Sequence, residues 1–189
     1  LLLKLQTIDE RPLLADDAHL MALFPHLYEF KLVEKDFYVF QRREEAPGPE
    51  DLAPRLVRTT PAAIGEEISV SEFAHEHLWL TVDLPLSLTG RLIKFLYKPA
   101  LVYLIVTDQD GKEIRYRIAR PIGLTGFQIN PLVTDFETYL EAHGGESARR
   151  IDSLRIEVAE EDRYLFADQA ALSLSLLKPT NLKQEFARQ

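Results

Sequence analysis

Apolar and polar residues alternate with a period of two in several stretches of the second half of this chain. The cleanest is Leu172-Ser173-Leu174-Ser175-Leu176, and the pattern recurs at Leu78-Trp79-Leu80-Thr81-Val82-Asp83-Leu84, Ile114-Arg115-Tyr116-Arg117-Ile118 and Leu154-Arg155-Ile156-Glu157-Val158. Successive strand side chains point to opposite faces, so each stretch can bury one face and wet the other. Together they predict a mostly β fold, an antiparallel β-sandwich or jelly roll over 64–179. The strands are expected at 66–71, 77–84, 101–107, 112–119, 151–159, 163–167 and 170–177. Residues 101–106 are apolar in both phases and predict a central strand covered on both sides. Asp108-Gln109-Asp110-Gly111 predicts a hairpin turn, with Gly111 free to take positive φ.

One helix interrupts the strands. Thr134-Asp135-Phe136-Glu137 has capping-box spacing, Phe136, Tyr139 and Leu140 form an apolar side, and Gly144 is a natural stop. Residues 1–43 predict a small α/β unit: a strand over 1–8, a short helix capped by Asp16 or Asp17, and a hairpin about Glu34-Lys35-Asp36. The helix carries Leu20, Leu23, Phe24 and Leu27 at one-face spacing, and Pro25 is expected to end or distort it. Residues 44–63 read as an acidic, proline-containing linker, and 180–189 as a C-terminal tail.

Composition narrows the functional classes. The net charge of −8 argues against nucleic-acid binding, which needs a basic surface. The charge is uneven: Arg91, Lys94, Lys98, Lys112, Arg115, Arg117 and Arg120 face only Asp108, Asp110 and Glu113 within the same stretch. There is no cysteine, which removes disulfides, thiol nucleophiles and cysteine-based zinc sites together. Leu1-Leu2-Leu3 reads as an internal start, so the chain is expected to be a piece of a longer protein.

Candidate chemistry is sparse. His75 and His77 would share a strand face, but two imidazoles do not make a metal site, and no metal or other cofactor is predicted. Glu66-Glu67, Glu157 and Glu160-Glu161-Asp162 could supply a carboxylate pair for hydrolysis. No nucleophile elbow and no phosphate-cradling glycine loop is present, so no catalytic residue is assigned. With Leu78, Leu80, Val82 and Leu84 inward, His77, Trp79, Thr81 and Asp83 face outward, and an exposed Trp79 could stack a sugar ring. The sharpest local feature is Thr89-Gly90-Arg91-Leu92-Ile93-Lys94-Phe95-Leu96-Tyr97-Lys98-Pro99. There Arg91, Lys94 and Lys98 interleave with Phe95, Tyr97 and other apolar residues, a mix suited to a bilayer surface or a partner.

Two stretches carry a family resemblance. Leu13-Leu14-Ala15-Asp16 through Leu23-Phe24-Pro25-His26-Leu27-Tyr28, followed by Asp36-Phe37-Tyr38-Val39-Phe40-Gln41-Arg42-Arg43, resembles the soluble tail of bacterial polytopic membrane glycosyltransferases. These are the mannosyltransferase-like enzymes that use lipid-linked sugars. Gly90-Arg91-Leu92, Phe95-Leu96-Tyr97-Lys98-Pro99, Tyr103-Leu104 and Gly126-Phe127-Gln128-Ile129-Asn130-Pro131-Leu132-Val133 look like a β-sandwich at the C-terminus of similar bacterial membrane proteins. The resemblance implies a periplasmic or extracellular domain whose first partner is the transmembrane part of its own polypeptide. It brings over no catalytic residue. The expected function is therefore non-catalytic binding of a glycan, a partner or a membrane surface. The alternatives are a free-standing carbohydrate-binding module and a soluble hydrolase using a carboxylate pair.

Overall fold

A computed structural model describes residues 2–3, 11–12, 14–15, 17–34, 37–93, 100–144 and 148–180. The first unit comprises β1 (Leu2–Leu3), α1 (Ala18–Leu27), β2 (Tyr28–Glu34) and β3 (Phe37–Arg42). The rest contains β4 (Arg55–Ala63), β5 (Ile68–Ser69), β6 (His77–Asp83), α2 (Leu88–Ile93), β7 (Val102–Asp108), β8 (Glu113–Ile118), α3 (Arg120–Thr125), β9 (Phe127–Asn130), α4 (Phe136–Gly144), β10 (Ile151–Val158) and β11 (Gln169–Leu177).

Two four-stranded antiparallel sheets, ordered β5-β10-β7-β8 and β4-β11-β6-β9, form the sandwich. Strands that follow one another in sequence mostly alternate between the sheets, the doubly crossed topology of a jelly roll. The alternating stretches supply its core: Leu78, Leu80, Val82, Leu104, Val106, Leu154, Ile156, Leu172 and Leu174 are buried in one cluster. The strand over 101–106 is central as predicted, since β7 lies between β10 and β8. Ile105 on its outer phase is also buried, between Arg155 and Arg115 of the flanking strands. The predicted turn forms with Gly111 at φ +74°, and Asp108 Oδ1 accepts from the amides of Asp110 (3.0 Å) and Lys112 (2.8 Å).

Several expectations are corrected. The part of the supposed linker at 55–63 is β4, an edge strand paired with β11. Only Ala62 of β4 is buried, so the strand carries no alternation to read, and an edge tolerates Pro61 because no ladder bond is needed on its free side. The strand expected at 163–167 is a 3-10 turn, Glu160–Leu165, followed by a single bridge between Phe166 and Leu86. The strand expected at 66–71 shrinks to β5.

The α4 cap also moves by one residue. Thr138 N donates to Asp135 Oδ1 at 2.8 Å, and Thr138 Oγ1 accepts from Asp135 N at 3.0 Å. The reciprocal pair is Asp135 with Thr138 because the short aspartate reaches the free amide three residues on.

Pro25 does not end α1. Proline has no N–H for the carbonyl of Met21, four residues back. The Tyr139 hydroxyl donates to that carbonyl instead, at 3.4 Å. The buried face of α1 is Ala18, Met21, Phe24 and Pro25, while Leu20 stands out in solvent. A second core of Met21, Phe24, Phe30, Phe40, Val133, Phe136 and Tyr139 joins the first unit to α4. Phe40 meets Phe24 edge-on with ring centroids 4.7 Å apart, the arrangement that the ring quadrupoles favour.

Candidate functional site

The outward phase of β6 is where a sugar platform was expected. Two of its residues are covered, Trp79 by His19 of α1 and His77 by His143 of α4. Trp79 is buried, with the ring of His19 on α1 at 4.8 Å. Gly126 passes so close that a Cβ there would sit 2.2 Å from Trp79 Nε1. The exposed Trp79 expected from the sequence is corrected: alternation sets the sheet face, and a second layer decides whether that face meets water. His77 is buried against His143 of α4, with ring centroids 5.3 Å apart. Thr81 and Asp83 are half-buried. His75 is exposed in the turn before β6, so it shares no face with the buried His77. No group of three metal-ligating side chains forms among the described residues.

Three of the carboxylates that could serve hydrolysis have structural partners. Glu66 Oε2 accepts from the Ala63 amide at 2.7 Å, Glu67 bonds the Ser153 hydroxyl, and Glu157 pairs with Arg155 at 2.8 Å. Glu160, Glu161 and Asp162 occupy the first turn of the 3-10 segment, where negative charge meets free amides. Arg155 also binds Glu113 through both terminal nitrogens, at 2.6 and 3.0 Å. That double contact holds the Glu113 carboxyl below its usual range. On the open face of the β5-β10-β7-β8 sheet, Arg155, Glu113 and Glu157 thus pair with one another, and Arg115 stacks 3.6 Å over the Tyr103 ring.

Two cavities, of about 10 and 20 Å³, lie within the described residues. A water needs roughly 10–15 Å³ by this measure, so neither admits a sugar ring. The larger is lined by Val82, Leu84, Val102, Ile118, Gly123 and Phe166, with Arg120 beside them. It marks the end of the sandwich where β6 and β8 finish and β7 begins.

That end has an unusual surface. Leu88 and Leu92 of α2 are 80% and 72% exposed, and Leu124 on α3, Leu101 before β7 and Tyr164 on the 3-10 turn are exposed as well. These are five of the nine large apolar side chains exposed among the described residues. The placement of α2 is specific. Ser87 Oγ donates to the Tyr164 carbonyl at 2.8 Å and accepts from the Gly90 amide at 3.0 Å. Gly90 packs directly on the Leu165 carbonyl, where an added Cβ would sit 1.9 Å away. Anchored on its glycine side, α2 holds Leu88, Arg91 and Leu92 outward. Of the predicted contact residues Arg91 is thus placed and exposed, while Lys94, Phe95, Tyr97 and Lys98 lie outside the described residues. Sequence reading found this segment but not Leu88, Leu101, Leu124 or Tyr164, which join it only through the fold.

Fold and surface together define a jelly-roll β-sandwich module with one apolar, cation-bearing end. No protein-family model, no curated protein and no solved structure matches the chain. No helix among the described residues is long and apolar enough to cross a membrane.

Proposed function

We propose that this chain is a non-catalytic domain that docks on an anionic membrane surface through its α2 end. In the same reading it is the extracytoplasmic part of a bacterial membrane protein of the mannosyltransferase-like kind, for which the support is the sequence resemblance. The observation that carries docking is the gathering of exposed Leu88, Leu92, Leu101, Leu124 and Tyr164 at one end of the sandwich. Exposed apolar groups gathered on one surface mark contact sites, whereas scattered ones do not.

A bilayer suits this end because of its charges. Arg91 and Arg120 flank the leucines, and Lys94 and Lys98 follow within the same stretch of sequence. Each basic residue near an anionic surface contributes about 1 kcal/mol, and each leucine taken out of water about 1.5–3 kcal/mol. Glu160, Glu161 and Asp162 lie beside this end, and the chain as a whole carries −8. Attraction therefore depends on α2 leading, with the acids turned aside, and weakens with salt.

Flotation with phosphatidylglycerol vesicles tests the reading. The protein is expected to float with these vesicles and to stay behind with neutral phosphatidylcholine. Leu88→Ser/Leu92→Ser and Arg91→Gln/Lys94→Gln/Lys98→Gln variants are each expected to lose the interaction. Flotation of all three proteins alike, or of none, would end it.

A further inference from the structure

Three histidines from three elements meet at the end of the sandwich opposite α2. His26 lies in the last turn of α1, His77 opens β6 and His143 closes α4. The chain leaving β11 crosses the same place: His26 Nε2 donates to the Lys178 carbonyl at 3.2 Å, and His143 Nδ1 meets Thr180 Oγ1 at 2.8 Å. His143 also sits against the edge of the Tyr139 ring at 4.7 Å. Two further ring nitrogens, His77 Nδ1 and His143 Nε2, are buried with no hydrogen-bond partner among the described residues. A bare imidazole nitrogen is tolerable in such a place, but an N–H⁺ there has no acceptor and no solvent.

The charged groups around the cluster add to that cost. Arg150 faces His77, while Lys178 and Arg43 face His26. The histidines also face one another and Tyr139, and no carboxylate contributes to the shifts of His26, His77 or His143 among the described residues. A proton on His77 would stand in the field of Arg150, which already disfavours the charged ring.

We propose that His26, His77 and His143 form an acid-released latch that keeps α1 and segment 178–180 closed over the outer face of β6. Neutral rings let these elements pack, and protonated rings drive them apart. Burial, then Arg150 and His26, holds His77 down at about 4, and burial pushes His143 in the same direction. A histidine whose folded value is depressed leaves the closed form intact above its ordinary value near 6.5, and closure weakens as pH falls through the window below it. Each such histidine shifts the equilibrium toward opening by up to about tenfold per pH unit within its window. Release of α1 also removes His19 from Trp79, so acid uncovers the ring that the closed form buries. This latch is independent of membrane docking, which uses the opposite end.

Trp79 is the only tryptophan, so its emission reports the latch directly. The full chain is titrated from about pH 7.5 to about pH 4.5, reading emission wavelength and acrylamide quenching rather than intensity, because a nearby imidazolium quenches. The expected result is a reversible red shift and easier quenching, with the far-ultraviolet circular dichroism of the sandwich retained. The His77→Gln/His143→Gln variant is expected to respond much less. An unchanged emission, or the same shift in the variant, would overturn the latch. Should the variant not fold, NMR titration of the unaltered protein decides, with the histidines of the urea-unfolded chain as reference. His77 and His143 titrating below that reference supports the latch; either titrating at or above it overturns it.

Discussion

At the α2 end of the sandwich, leucines stand in water; at the opposite end, imidazoles are buried with ring nitrogens that meet no partner among the described residues. Both run against the ordinary solvent preference of the side chains, and each departure is held in place by local structure. Gly90 lets α2 sit directly on the Leu165 carbonyl and present its leucines. At the other end Asn130 holds the backbone beneath the histidines. Its Nδ2 donates to the Glu76 carbonyl at 2.7 Å and its Oδ1 accepts from the Ile151 amide at 3.1 Å. The contrast separates two ways a sandwich can carry function: one end depends on a new surface meeting the exposed groups, the other on its own cover staying closed.

Four substitutions or conditions break or sharpen that contrast. The largest effect is expected from Gly90→Ala, whose Cβ would overlap a backbone carbonyl that cannot swing away. Overpacking of this kind costs about 2–4 kcal/mol, read as a lower unfolding midpoint, and it should also displace α2 and weaken vesicle binding. Asn130→Ala comes next, leaving the Ile151 amide and Glu76 carbonyl without their partner at the latch end. The expected loss is about 1–3 kcal/mol in urea unfolding, with vesicle binding unchanged.

Acid is third. His77, held down to about 4, stays neutral when folded while the unfolded chain takes up its proton near 6.5. Stability then falls with pH below about 6.5, by up to roughly 1.4 kcal/mol per unit for this one residue. A urea series at stepped pH measures the slope, and His77→Gln should flatten it. The smallest effect is Leu88→Ser/Leu92→Ser, expected to change stability by about 0.5 kcal/mol or less because both side chains are already solvated. A thermal melt checks this, and a large loss would mean that the leucines serve the fold rather than a surface.

The inner faces of the sandwich were legible because burial there follows strand geometry alone. The extents of β6, β8, β10 and β11 follow closely from the alternation of Leu78 to Leu84, Ile114 to Ile118, Leu154 to Val158 and Leu172 to Leu176, and β7 follows from the run over 101–106 that is apolar in both phases. β4 was not legible, because an edge strand with one buried residue has no pattern to impose. Nor was the burial of Trp79, which depends on His19 arriving from a helix sixty residues earlier. Pro25 misled because its missing donor is compensated by Tyr139, more than a hundred residues away. The docking end was half legible: Arg91 and Leu92 announce themselves by their neighbours, whereas Leu124 and Tyr164 reach it only through tertiary packing. The histidine latch has no local signal at all, since His26, His77 and His143 are joined only by the fold.

The orientation of the domain on a bilayer is tested most directly by depth. The chain has no cysteine, so Leu92→Cys and Leu32→Cys each give one attachment point for an environment-sensitive fluorophore, at the α2 end and on the distant β2 strand. With phosphatidylglycerol vesicles the label at residue 92 is expected to shift to the blue and become quenchable by lipid-borne quenchers, while the label at residue 32 stays in water. A silent residue 92, or equal responses at both positions, would contradict docking through α2.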